Sequence, residues 1–318
     1  MSPVSTLQQQ SRPFLGIGMK VGSVVAFMGM ATAIKYAGQI PAGQIVFFRS
    51  FFAILPICIY LLAVGELRGA WRTSRPLGHV MRGLVGVSAM SLGFYGLTRL
   101  PLPDSTALGY ARPLVTVILG ALLLGEVVRR YRWGAVIFGL FGVLVISWPK
   151  LQLFRGEGSF GGDEALGVIA TLVSACIAGL AMVLVRRLLD TEKTATIVLY
   201  FSVTASVFAL TTIPFGWHAL NPTQVVALVL SGFCGGLGQI LLTQSYRHAD
   251  VSTIAPFEYT SVLLGIGIGY FVFAEVPGWA TIIGSAIVTS SGLFIIYREH
   301  RLGVERRGLA RRSVTPQG

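Results

Sequence analysis

Long apolar stretches separated by short polar ones run through the whole chain, and within them apolar and polar positions do not alternate. They cover roughly residues 15–37, 43–64, 78–98, 104–125, 132–148, 165–187, 195–214, 224–245, 251–274 and 278–297. Crossing the ~30 Å hydrocarbon core takes about 20 residues of α-helix. Nine of the stretches approach that length; the fifth is shorter. A helix satisfies its own backbone hydrogen bonds in lipid, which a lone strand cannot do. No soluble core of 318 residues needs ten such segments. The pattern predicts an all-α polytopic membrane protein with ten transmembrane helices.

Composition strengthens this reading. Hydrophobic residues make up 53% and charged ones only 12%, against about 25% charged in soluble domains. The first apolar stretch lacks the short core and small-residue cleavage site of a secretory signal, so it counts as a span. Cys58, Cys176 and Cys234 fall inside spans without paired spacing, which argues against a disulfide or metal site.

The net charge of +12 raises the question of nucleic acid, and its distribution answers it. With the N-terminus in the cytoplasm, 19 of the 25 lysines and arginines fall on the inner side, Lys20 and Arg82 among them. Lys35, Arg99, Lys150 and Arg155 fall outside, and Arg49 and Arg112 remain within the membrane. Positive charge in short loops marks the cytoplasmic face, so both termini are expected there. The basic tail reads as a lipid-facing segment, and no nucleic-acid partner is expected.

Two segments resemble each other. "STALGYARPLVTVILGALLLGE" (Ser105 to Glu126) and "STIAPFEYTSVLLGIGIGYFVFAE" (Ser252 to Glu275) both open Ser-Thr, run through a glycine-containing apolar span and close on a small residue and Glu. A further span follows each, past Trp133 or Trp279. The chain therefore divides into an N-terminal segment 1–14, a five-helix repeat 15–148, a linker 149–164, a second repeat 165–297 and a basic tail 298–318. Five is odd, so the second repeat is inserted upside down. Three arginines follow Glu126 and none follows Glu275 before Trp279, in agreement with inversion. Inverted repeats are a recurring plan of secondary transporters.

Ten spans in a five-plus-five duplication, with "FYGLTRLPLPDSTAL", "SYRHADVSTIAPF", "LLLGE", "VFAE" and "FFRSFFAILP" at their places, resemble the EamA family of the drug/metabolite transporter superfamily. The resemblance covers about residues 14 to 298. It implies an inner-membrane permease without a nucleotide site, moving small metabolites through a central cavity between the halves. It also implies no enzymatic activity and no cofactor, and a homo-dimer is compatible with it. One departure is Ala274 before Glu275, where the first copy has Gly125 before Glu126. No GxxxxGK[ST] phosphate loop is present.

Charges inside the membrane carry the sharpest functional signal, because each costs about 2.5 to 3.5 kcal/mol near the bilayer centre. Arg112, Arg49 and Glu258 are candidate substrate-binding residues. Matching the Ser-Thr pairs sets Arg112 against Tyr259 and Glu258 against Ala111, on helices that the resemblance places around the cavity. Arg112 and Glu258 either pair with each other or serve a ligand. Tyr110, Tyr259, Phe257 and Tyr95 lie nearby as candidate stacking partners, and Pro113 and Pro256 would free backbone carbonyls. Glu126 and Glu275, at span ends, read as architectural. No catalytic or metal-binding residue is expected.

The expected function is alternating-access transport of a small organic metabolite. Arg112 would hold a carbonyl or anionic group, with Glu258 as counter-charge or proton carrier. The overall character of the chain is most similar to riboflavin importers of the family, and a flavin suits arginine with aromatics. Export of amino acids or other metabolites fits the same residues, and a non-transporting scaffold or sensor is the remote alternative.

Overall fold

The computed structural model describes residues 13–124, 128–151, 163–189, 191–249 and 251–313. The chain runs through α1 (Pro13–Ala37), α2 (Ala42–Ala63), a short α3 (Leu67–Ala70), α4 (Pro76–Arg99), α5 (Leu102–Gly109), α6 (Ala111–Leu124) and α7 (Arg130–Leu151). It continues through α8 (Asp163–Leu189), α9 (Thr194–Leu210), α10 (Pro222–His248), α11 (Val251–Ile254), a 3-10 segment (Ala255–Tyr259), α12 (Thr260–Phe273) and α13 (Trp279–Ser313). Together α5 and α6 form the fourth span, and α11 to α12 form the ninth. Nine spans among the described residues are long and apolar enough to cross a membrane; the seventh, α9, is a 17-residue apolar helix. The fifth is longer than its apolar pattern suggests, because α7 runs on through Pro149 to Leu151. The tail expected as a separate segment begins as a continuation of α13 to Ser313. Glu126 lies outside the described residues, as does most of the linker.

Helix pairing displays the duplication. α1 packs along α10, while α4, the counterpart of α10, packs along α8, the counterpart of α1. α2 crosses α9 and α7 lies along α13, each helix against its own counterpart. Such an exchange of partners is a pseudo-two-fold relation. With five spans per half, counterparts run in opposite directions, so the axis lies in the membrane plane. Ten crossings bring both termini to one end of the bundle.

Side chains are sorted for lipid outside and close packing inside. Phe271, Trp279 and Leu263 stand exposed on the periphery, while Ile34, Ile45, Leu102, Leu108 and Leu228 are fully buried. Two glutamates fix the ends of spans across the bundle. At the terminal end Glu192, in the α8–α9 connection, accepts hydrogen bonds from Thr73 Oγ1, Ser74 N, Ser74 Oγ and Arg75 N at 2.8 to 3.1 Å. These tie the α8–α9 connection to the start of α4, where Arg75 supplies no side-chain cap of its own. Burial pushes the Glu192 carboxyl up, but these hydrogen bonds outweigh it and hold the group below its usual range. At the opposite end Glu275 accepts from Leu102 N at 2.8 Å, at the start of α5, and pairs with Lys35 at 2.8 Å. An Asp104–Lys150 pair at 2.7 Å stands at that same end, with Thr281 donating to Asp104.

The Gly125-to-Ala274 departure has a visible consequence. α12 closes on Ala274 in the left-handed conformation, φ 54° and ψ 29°. Glu275 N–H donates to Gly269 C=O at 2.8 Å and completes the cap. Glycine is the usual residue there because a β-carbon is strained in that region.

Candidate substrate site

The fourth and ninth spans both break at matching levels. α5 gives way to α6 at Tyr110, and the ninth span tightens into a 3-10 segment over Ala255–Tyr259. Pro113 and Pro256 bring no N–H to the helical ladder, which loosens each span there. Irregular backbone at membrane depth survives only where protein covers it or a cavity meets it. Here the breaks dock on one another. Tyr110 Oη donates to the Glu258 carbonyl at 2.6 Å and lies 2.5 Å from Ser261 Oγ. The Tyr110 and Tyr259 rings stack with centroids 4.8 Å apart. Gly292 on α13 makes room for this stack, since a β-carbon there would lie 1.5 Å from Tyr259 Oη.

The charges are arranged differently from the sequence alternative in which Arg112 and Glu258 pair with each other. Glu258 pairs with Lys20 at 3.4 Å; the Lys20 side chain is 4% exposed and that of Glu258 is 55% exposed. Lys20 was expected among the flanking cytoplasmic charges, yet α1 begins at Pro13 and carries it about 10 Å into the span. Arg82 is corrected the same way, lying about 9 Å inside α4. Both already lie within the apolar stretches 15–37 and 78–98, and Pro76 at the first position of α4, a helix start signal, sets Arg82 deeper still.

Arg112 stands about 15 Å from the start of its span at Leu102. It is exposed, and among the described residues no carboxylate pairs with its guanidinium. The Glu258 charge still acts on it. A guanidinium at that depth requires water or a partner rather than lipid. Arg49 lies in α2, buried to 8% exposure, with Nε unpartnered.

The aromatic candidates divide. Tyr110 and Tyr259 are engaged with each other. Phe257 is half-buried on the 3-10 segment. Tyr95 lies near the other end of the bundle under Arg99, whose guanidinium carbon is 3.6 Å from the ring centroid. Glu275 is an ion-pair and helix-start anchor, as described above. Among the described residues no cluster of three or more His, Cys, Asp or Glu side chains could hold a metal.

An inverted repeat of five spans, with broken fourth and ninth helices and, among the described residues, an arginine without a carboxylate partner beside the breaks, defines a membrane transporter. The EamA-like transporter family model matches residues 14–148 and again 165–297, and the chain belongs to that family. An S-adenosylmethionine uptake transporter of Rickettsia conorii is 25% identical over 287 residues, 90% of this chain and 94% of that protein. A pseudopaline exporter of Pseudomonas aeruginosa is 29% identical over 278 residues, 86% of this chain and 93% of that protein. A solved crystal structure superposes with a TM-score of 0.64 at 20% identity, covering 90% of this chain and 98% of the other, and shares the fold.

Proposed function

We propose that the chain is an inner-membrane secondary transporter, its termini in the cytoplasm, that moves a carboxylate-bearing small metabolite by alternating access. Arg112 anchors the carboxylate. The observation that carries this reading is that Lys20 occupies Glu258, which leaves Arg112 exposed at mid-depth with no carboxylate partner among the described residues. An anion brought by the solute would complete it with a charge-assisted, bidentate pair. Lys20, Arg49, Arg82 and Arg112 against Glu258 give the described interior an excess of positive charge, which disfavours a purely cationic solute.

S-adenosylmethionine, named for one relative, carries an α-carboxylate beside its cationic sulfonium and fits this class through that group alone. Riboflavin gains less from the geometry. The tyrosines that would sandwich a flavin stack on each other, and an uncharged ring leaves the guanidiniums without a counter-charge.

Solute counterflow in proteoliposomes tests the proposal, with single amino acids, S-adenosylmethionine and riboflavin as solutes, and each amino acid paired with its primary amide. Exchange of at least one carboxylate, with its amide inert, is the expected result. Exchange confined to riboflavin, or carboxylates and amides moving alike, would refute it.

A further inference from the structure

A second cluster of positive charge lies between α2, α4, α9 and α10. Arg49 is 8% exposed, and no hydrogen-bond acceptor or carboxylate among the described residues reaches its guanidinium. Arg82 lies over the Phe201 ring, its guanidinium carbon 3.6 Å from the centroid, with Nε and Nη1 buried and unpartnered. The two arginines are close enough for the charge of Arg49 to act on Arg82. Glu192, the carboxylate near the start of α4, is already held by Thr73, Ser74 and Arg75. Two neighbouring cations, one buried and one half-buried, with no counter-ion among the described residues repel each other and forgo much of their hydration.

Room for both guanidiniums is provided by glycine. A β-carbon on Gly86 would lie 2.7 Å from Arg82 Nη1 and 2.7 Å from the Phe201 ring, and one on Gly235 would lie 3.2 Å from Arg49 Nε. The two-fold relation sets an uncharged residue at the counterpart of each arginine. Gly83 and Gly86 of α4 face Thr204 and Phe201 of α9, as Gly232 and Gly235 of α10 face Phe52 and Arg49 of α2. Arg49 thus corresponds to Phe201, and Arg82, one residue before Gly83, corresponds to Ser231. Each of the two related contacts therefore carries one arginine, Arg82 beside Phe201 between α4 and α9 and Arg49 between α2 and α10, and the counterpart of each arginine is uncharged.

We propose that Arg49 and Arg82 form a second oxyanion site within the membrane, separate from Arg112, which takes a further carboxylate of the transported solute. The solute is then a metabolite with at least two anionic groups. Its being the same molecule that Arg112 anchors rests on the proposed function. Phe201 orients the Arg82 plane through the cation–π contact and leaves guanidinium edges for an oxyanion.

The test is ligand-dependent thermal unfolding of the full chain in detergent, which reports affinity because a bound ligand stabilises the folded state. The probes are succinate, glutarate and adipate, each beside its monomethyl ester, and inorganic phosphate. At least one diacid should half-saturate at a concentration about tenfold or more below its monoester. Arg49→Gln and Arg82→Gln should each remove that advantage. Without ligand, Arg49→Met should unfold at the same or a higher temperature, because it removes an uncompensated buried charge. A clearly lower midpoint would make Arg49 a structural residue and overturn the proposal. No diacid preference, or phosphate binding as tightly as the best diacid, would overturn it as well. If the preference survives both glutamine variants and is lost only in Arg112→Gln, the second site fails and the Arg112 reading stands. If it is lost in Arg82→Gln and kept in Arg112→Gln, the second site stands and the Arg112 reading fails.

Discussion

Glu258 takes its partner from the first span, Lys20, and not from Arg112 on the fourth. Removing one member of a buried ion pair leaves the other charge uncompensated. Lys20 is buried and Glu258 half open, so Glu258→Gln should cost about 2 kcal/mol, below the range for fully buried pairs. The double variant Lys20→Met/Glu258→Gln should recover most of that loss, while Arg112→Gln/Glu258→Gln should not. Thermal unfolding in detergent reads both, and recovery by the Arg112 double variant would reassign the pair.

Glu192 predicts an acid-sensitive connection between α8–α9 and α4. Its folded pKa lies below the ordinary value of about 4.3. The stabilisation is therefore present above that ordinary value and lost as pH falls through the lower, folded one. Glu192→Gln should be less stable than the parent by about 2 kcal/mol at pH 7. That gap should shrink below about pH 4. A gap independent of pH would remove the carboxylate from this role.

Ala274 strains the end of α12, because a β-carbon in the left-handed region costs about 1 kcal/mol or slightly more. Ala274→Gly should therefore stabilise the protein by about 1 kcal/mol. A lower unfolding midpoint would show that α12 ends another way.

Orientation is tested with single cysteines at Arg72→Cys, in the α3–α4 connection, and Ala219→Cys, before α10, in a chain lacking Cys58, Cys176 and Cys234. An impermeant thiol reagent on intact cells should label only the second. Labelling of Arg72→Cys alone would turn the protein over in the membrane.

Much of this architecture is legible in the sequence because lipid imposes a simple rule. Every span must be predominantly apolar over about 20 residues, so ten runs name ten helices, and the Ser-Thr and Glu anchors expose the duplication. Charges inside the helices are harder to place. Lys20 and Arg82 read as flanking because each lies within two turns of a helix start, where a shift of a few residues changes its side of the boundary. Partner choice is harder still. Which cation meets Glu258 depends on α1 lying against the 3-10 segment, and that contact joins residues 238 positions apart. The Tyr110–Tyr259 stack was equally hidden, since it depends on Gly292 in a helix that sequence marks only as apolar.

The central claim, that Arg112 holds the carboxylate of the solute, is measured most directly by a coupling cycle. Counterflow KM is determined for the best carboxylate solute and its primary amide, each with the parent and with Arg112→Gln. The expected result is a KM increase of about 30-fold for the carboxylate in Arg112→Gln and little change for the amide, a coupling of about 2 kcal/mol. Equal effects of the substitution on carboxylate and amide would contradict the claim.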